Sequence, residues 1–409
     1  LPYLGKNIEE MSSSKLKKNA RKKLAHSSSG KPVKICLNMI VRDEKDNIIR
    51  CFNSVRHLLD AIVICDTGSV DNTPDLIKEY LQKENLPGEV ISRPWTNDFG
   101  KNRTEALRYA EEFIQRHDST SQFTWYVMFM DADNQAFAYD GKSKFPSTWK
   151  SNLHHDCYDV EMRNGNASYH YPWLIRVDPE KRWKWCEPRH EYPAPDGDWK
   201  ENRATITGGY VYSGREGFRS KNKWTYLEDA FAFLKQIREE PTNTRAVFYA
   251  AQSMRDCNNY DLAAQLYKRR ARMGGWNEEV YMSLLYLGTR RFMMKKFDDK
   301  TIGIFLDALD KCPQRFEAPY YLIMIWRLQK KFRLGWELAK LYIDATPPTN
   351  SLFADMDIVD WGLYDEAAIC AFYAGDKDKF KELSNRVLSS KLAPDNIKER
   401  VRKNLQSFG

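Results

Sequence analysis

Met128-Phe129-Met130-Asp131-Ala132-Asp133 is an apolar run that ends in two carboxylates one residue apart. Such a run reads as a buried strand reaching the carboxyl edge of its sheet, where open α/β sheets bind ligands. Side chains two apart on an extended strand share a face, so Asp131 and Asp133 would stand together. Like charges at that spacing call for a cation. A divalent ion carrying a diphosphate supplies one, because hard ions take carboxylate and phosphate oxygens. Taken alone, the pattern more often marks a strand-end turn with solvated aspartates, so the metal is expected only if other residues converge on the same edge.

Asp66-Thr67-Gly68-Ser69-Val70-Asp71-Asn72-Thr73-Pro74 follows a second apolar run, Ala61–Cys65. Gly68 permits a tight turn, Thr73 is a candidate N-cap, and Pro74 suits the first turn of a helix expected over about 74–84. Asp66 then projects into the same crevice as Asp131 and Asp133. A carboxylate repels bare phosphate but accepts hydrogen bonds from a ribose hydroxyl or a base N–H. A nucleotide satisfies both ends, with its diphosphate at the metal and its nucleoside near Asp66. Between the two acidic loops, Trp95 to Arg103 places Asp98, Lys101 and Arg103 beside two aromatics, Trp95 and Phe99.

The elements that position these residues alternate strand and helix. Val33–Val41 reads as a first buried strand ended by Arg42-Asp43-Glu44, and Asn47–Leu59 as a helix. Glu89–Ser92 is a short strand, and the stretch from Thr104 has helical periodicity. No Gly-x-Gly-x-x-Gly occurs at the first turn and no Walker lysine motif is present. Dinucleotide oxidoreductases and P-loop ATPases are thereby disfavoured.

Leu37–Glu44, Ile64–Thr73, Trp95–Phe99 with Asn102-Arg103, and Met130–Asp133, taken in that order, resemble the family 2 glycosyltransferases. The resemblance is closest to a branch with a tetratricopeptide-like helical tail, and extends well over residues 33–285. It implies a GT-A fold, an α/β domain with a mostly parallel sheet, followed by an all-α helical-repeat domain. It also implies a nucleotide-sugar donor, commonly UDP-linked, and Mn2+ or Mg2+ held by the Asp-x-Asp motif. Carried over residue by residue, Asp133 contacts the metal, Asp131 the ribose or metal shell, Asp66 and the Glu44 loop the nucleoside, and Arg103 the base or phosphates. Asp98 joins them as a candidate donor contact. No Gln-x-x-Arg-Trp follows and no apolar stretch spans a bilayer, so a polysaccharide-extruding synthase is not expected.

Sugar transfer with inversion needs a base on the acceptor hydroxyl and positive charge on the leaving diphosphate. Pro188-Arg189-His190-Glu191-Tyr192 offers Glu191 as that base and His190 as a third metal ligand or diphosphate contact. The structural alternative pairs Glu191 with Arg189 or His190. Asp196 and Asp198 are substitutes for the base. Trp183 and Trp185 share one face if extended, where core packing competes with sugar stacking. Thr207–Tyr210 and Ser213–Gly217 have the composition of a lid.

From Tyr226 the pattern turns helical for good. Arg245–Gln252 followed by Tyr260, Ala263, Ala264 and Tyr267 has a tetratricopeptide-like rhythm, with a weaker copy over Tyr320–Tyr342. The expected division is a flexible basic leader (1–31), the GT-A domain (32–224) and the helical domain (225–409). Residues 1–10, ahead of Met11, read as lying outside the original reading frame. The helical domain is a candidate surface for a homodimer or a protein partner.

The 409 residues suffice for such cores, and the net charge of +8 is modest, with part of it in the leader. A nucleic-acid partner is not favoured. The eight cysteines are scattered as in a reduced, cytoplasmic protein, and the seven histidines lack metal-binding spacing. The expected activity is metal-dependent, inverting, hexosyltransferase-like transfer from a nucleotide-sugar to a glycan, protein or small-molecule hydroxyl. The alternatives are a nucleotidyltransferase and an inactive helical-repeat binding protein.

Overall fold

A computed structural model of the chain describes residues 30–165, 167–214, 216–217, 224–348 and 351–408. The basic leader up to residue 29 lies outside the described residues.

The first layer is a parallel sheet. β1 (Val33–Val41) lies between β2 (Ala61–Asp66) and β4 (Thr124–Phe129), and β3 (Gly88–Ser92) pairs with β2. These strands read as continuous apolar runs because both faces are buried. Ile35, Leu37 and Met39 point into a core shared with α1 (Ile48–Val55), which buries Ile48, Cys51, Phe52 and Val55 at helical spacing. Full burial of each such side chain contributes about 1.5–3 kcal/mol. Cys36 points the other way, toward Leu107 and Phe113 of α3 (Phe99–His117). Between β2 and β3 runs α2 (Thr73–Lys83).

Two local expectations are corrected. Thr73 is the first residue of α2 and not its cap; its hydroxyl instead accepts from the Glu44 N–H at 2.8 Å. The helix expected from Thr104 begins at Phe99, because the Asp98 carboxylate accepts from the Lys101 N–H at 2.9 Å. A capped start needs no apolar stripe, so periodicity alone does not reveal it.

Beyond β4 the sheet becomes mixed. β5 (Gln135–Ala138), β6 (Cys157–Asn164), β7 (Ala167–Arg176) and β10 (Arg203–Tyr212) extend it in the order β3-β2-β1-β4-β7-β6-β10-β5. β7 is antiparallel to both β4 and β6, whereas β10 runs parallel to β6. The residues Thr207–Tyr210, expected in a lid, lie within β10. A separate hairpin pairs β8 (Trp183–Cys186) with β9 (Tyr192–Pro195). Trp183 and Trp185 are buried in it, so both are core residues and not an exposed stacking platform.

The rest is helical. α4 (Thr225–Glu239), α5 (Thr244–Asp256), α6 (Tyr260–Met273), α7 (Asn277–Met293), α8 (Asp299–Lys311), α9 (Glu317–Leu328) and α10 (Phe332–Ala339) each pack on the next. Asn243, Asn259 and Asp298 cap three of them through side-chain oxygens. A two-residue strand, β11 (Ala354–Asp355), then leaves the helical stack and pairs antiparallel with β7 at Ser168 and Ala167. α11 (Leu363–Ala374), α12 (Lys377–Ser389) and α13 (Asp395–Phe408) close the chain. No described helix is long and apolar enough to cross a membrane, and all eight cysteines are free.

Candidate functional site

Where β1 and β4 end, a cavity of about 700 Å³ opens between the sheet and the helices. It lies at the carboxyl edge, and its size suits a small-molecule ligand. Glu44, Arg103, Asp131, Asp133, His190 and Glu191 all line it. Asp66, Asp98 and Asp196 do not.

Asp131 and Asp133 share an edge but not an environment. Asp131 is ion-paired to the Arg103 guanidinium and its side chain is 56% exposed. Its carbonyl accepts from Asn134 N–H at 3.0 Å and from the Cys51 thiol at 3.4 Å, which fixes the turn after β4. The Asp133 carboxylate accepts from the Gly217 N–H at 3.1 Å. Burial, with Asp131 and then Glu44 as acidic neighbours, pushes Asp133 up to about 6. The loop that covers it is close: a Cβ on Gly214 would sit 2.5 Å from the Asp133 carbonyl oxygen. Asn47 Nδ2 donates to the Glu216 carbonyl at 3.2 Å, and Arg50 pairs with the Glu216 carboxylate, tying the loop to α1. Of the expected lid, Arg215 lies outside the described residues.

Glu191 meets Arg103 as well. Arg103 Nε donates to Glu191 Oε1 at 2.6 Å, and both side chains are 11% exposed. One guanidinium therefore bridges the residue expected as base to the first aspartate of the metal motif. It also lies over the Trp185 ring, 5.0 Å from its centroid. Sequence proximity suggested Arg189 or His190 as the structural partner of Glu191, but neither is. Arg189 is buried against Asp229 at 2.9 Å and donates to the Asn97 carbonyl at 2.8 Å. The His190 ring stacks on Tyr249, with centroids 4.1 Å apart.

Three candidates do structural work in this arrangement. Asp66 is buried, and its carboxylate accepts from Gly68 N–H and Ser69 N–H, each at 3.2 Å, so it closes its own loop; Thr67 reaches the cavity instead. Ser69 Oγ in turn accepts from the Asp43 N–H at 2.9 Å. The Asp-Thr-Gly-Ser-x-Asp-x-Thr loop thus braces the Arg42-Asp43-Glu44 loop, which holds Glu44 buried with Asn47 Nδ2 donating to it at 2.9 Å. Asp98 caps α3, as described above. Asp196 pairs with Arg108 at 3.1 Å and Lys184 at 3.4 Å on the outer hairpin.

Among the described residues, no three His, Cys, Asp or Glu side chains converge as a self-contained metal site. An ion of the Mg2+ type needs only one or two carboxylates when phosphate oxygens and water complete its shell. The acidic crowding that raises Asp133 is the kind a cation relieves, so the donor set fits such an ion.

The far wall was not foreseen. Tyr249, Gln252, Arg255 and Asp256 of α5 and Tyr286 of α7 line the same cavity. A second cavity of about 560 Å³ shares Asn164, Ala167, Tyr286 and Phe353 with the first. Nothing in the helical rhythm distinguishes these side chains from others, because their role depends on which helix face meets the sheet.

Residues 36–140 match the family profile described as Glycosyl transferase family 2. Among curated proteins, the chain is 32% identical over 100 residues to the SPbeta prophage-derived glycosyltransferase SunS of Bacillus subtilis, 24% of this chain and 20% of that one. It is 36% identical over 76 residues to a TPR repeat-containing protein of Synechococcus elongatus, 19% of this chain and 17% of that one. The matches span about a fifth of these relatives' length, 17% and 20%. Among solved structures, the TPR protein YrrB aligns with 44% of this chain and 84% of its own, at 12% identity and a TM-score of 0.34. MamA aligns with 46% and 97%, at 14% identity and a TM-score of 0.33. The strands and helices that carry Glu44, Arg103, Asp131 and Asp133 are thus the part of the chain that matches the glycosyltransferase family 2 profile.

Proposed function

We propose that the chain transfers a sugar, with inversion, from a nucleotide-sugar of the UDP type to a hydroxyl-bearing acceptor. The observation that carries this reading is the convergence of Asp131, Asp133, Arg103 and Glu191 on one cavity at the carboxyl edge of the sheet. Asp133, with Asp131 beside it, would hold Mn2+ or Mg2+. When bound, that ion supplies positive charge to the diphosphate, which stabilises it as a leaving group.

The chain's own residues have distinct tasks. Thr67 and the buried Glu44 shape the nucleoside end, while Trp95 and Phe99, with ring centroids 4.6 Å apart, wall its side. Arg103 restrains Asp131 and Glu191 together, so the donor and acceptor ends are held in one geometry. Glu191 takes the acceptor proton as the hydroxyl oxygen attacks the anomeric carbon and the nucleoside diphosphate departs. Tyr249 and Tyr286 wall the side from which the acceptor enters. A glycan, a protein or a small molecule can supply the hydroxyl.

The test is a thermal-shift and calorimetric panel of UDP, UDP-glucose, UDP-galactose and UDP-N-acetylglucosamine, with and without manganese. Binding that requires manganese and disappears in Asp133→Asn supports the assignment. Equal binding with and without manganese, or unchanged binding in the variant, defeats it.

A further inference from the structure

Glu191 is the last residue of a five-residue loop, 187–191, that joins β8 to β9. Two of its non-glycine residues have positive φ, Glu187 at 71° and His190 at 51°. Left-handed backbone at such residues costs about 1–2 kcal/mol each, so the loop keeps this shape only if its surroundings impose it.

The surroundings come from two directions. On the catalytic side, Phe99 N–H donates to the Pro188 carbonyl at 3.0 Å, and the Tyr171 hydroxyl donates to the Glu191 carbonyl at 2.9 Å. Gly100 lets α3 approach, since a Cβ there would sit 2.5 Å from the Glu187 carbonyl oxygen. On the helical side, Gln236 Nε2 of α4 donates to Glu187 Oε2 at 2.7 Å. Asp229 of α4 pairs with Arg189 at 2.9 Å, both buried. Arg245 of α5 donates to the His190 carbonyl at 2.9 Å, and the His190 ring packs against Tyr249 and Phe233, with centroids 4.1 and 5.7 Å away. Three of the four residues that precede Glu191 are therefore gripped by α4 and α5.

We propose that α4 and α5 hold the 187–191 loop in the one conformation that presents Glu191 to Arg103 and the cleft. Gln236, Asp229 and Arg245 are positioning residues, and the first two helices of the helical region are a structural half of the transfer site. The inference rests on the reading of Glu191 as the base.

Arg245→Met is the informative variant. It removes the bond to the His190 carbonyl and the cation–π contacts to Tyr192 and Tyr249, while Glu279, the ion-pair partner of Arg245, keeps Arg270 at 3.0 Å. Arg189 and Asp229 are left intact, because breaking a buried pair endangers the fold. Hydrogen–deuterium exchange over residues 187–192 should rise in Arg245→Met and in Gln236→Leu, with exchange in β1 and β4 unchanged. Release of UDP from the most rapidly hydrolysed sugar of the panel should lose roughly 10- to 100-fold in kcat, the scale of a small misplacement of a reacting group. KM for that UDP-sugar should stay within about twofold, since the donor end is untouched. Arg245→Lys, which retains a donor, should recover part of the loss. Loop exchange that matches the parent protein, or turnover unchanged in Arg245→Met, overturns the proposal. Full turnover in Glu191→Gln defeats the base assignment instead, and loop exchange then still decides whether the helices hold the loop.

Discussion

Two buried acids of the helical region and Asp133 of the cleft are handled in opposite ways. In the helices, buried acids are matched by buried arginines. Glu279 meets Arg270 at 3.0 Å, and Glu317 meets Arg315 at 2.6 Å, with side chains 0–3% exposed. Burial acts to raise Glu317, but the Arg315 charge together with the hydrogen bonds from Arg315 and from backbone N–H groups outweighs it, and the acid ends below its ordinary value. In the cleft, Asp133 is half-buried beside Asp131 and Glu44 and rises to about 6. An arginine answers the structural acids, whereas Asp133 stands among like charges. A carboxyl raised by burial and like-charged neighbours in a cleft is a functional-site candidate.

Substitutions sharpen this contrast. The largest effect is expected at Glu191: Glu191→Gln should lower turnover by roughly 10²–10⁴-fold while UDP affinity holds, measured as UDP release under saturating UDP-sugar. Arg315→Met should cost about 3–5 kcal/mol in denaturant unfolding, because it leaves the buried Glu317 and the half-buried Glu278 without their arginine. Removing an acid from the cleft should do the reverse. Asp133→Asn should abolish manganese-dependent UDP binding, yet at pH 7 its Tm without ligand should equal or exceed that of the parent. A Tm drop as large as that of Arg315→Met would erase the distinction between the two regions.

The pH dependence follows from the same acid. Asp133 titrates higher in the folded chain than in the unfolded one, so its favourable share of stability is present at low pH and is lost as pH rises from about 4 through about 6. Metal binding needs the ionised form and runs the other way. Manganese-dependent UDP affinity should weaken as pH falls below about 6, by at most roughly tenfold per unit. A flat profile from pH 7 to 5 would contradict this. The smallest effect is expected at Asp196, which pairs with Arg108 and Lys184 on the outer hairpin. Asp196→Asn should leave turnover within about twofold and stability within about 1 kcal/mol.

Much of the fold was legible because the parallel strands are buried on both faces and read as apolar runs; Val33–Val41 matches β1 residue for residue. The Asp131-x-Asp133 pair was legible for the same reason, as an abrupt end to such a run. The roles of Asp66 and Asp98 were not. A short acidic side chain beside a glycine turn or at a helix start serves a ligand or its own backbone equally well, and here each bonds to nearby N–H groups. Arg103 read as a contact to the donor's base or phosphates, and only the approach of β8–β9 to α3 makes it the bridge between Asp131 and Glu191.

The amino-acid order by itself determined the strand–helix alternation, the position of the acidic edge and the change to helices near residue 225, because burial period and turn chemistry are local properties. The tertiary structure decided which acids share an arginine, which are spent on loops, and that α4 and α5 grip the loop bearing Glu191. Those choices depend on faces brought together across 28 to 92 residues of chain, a distance over which periodicity carries no information.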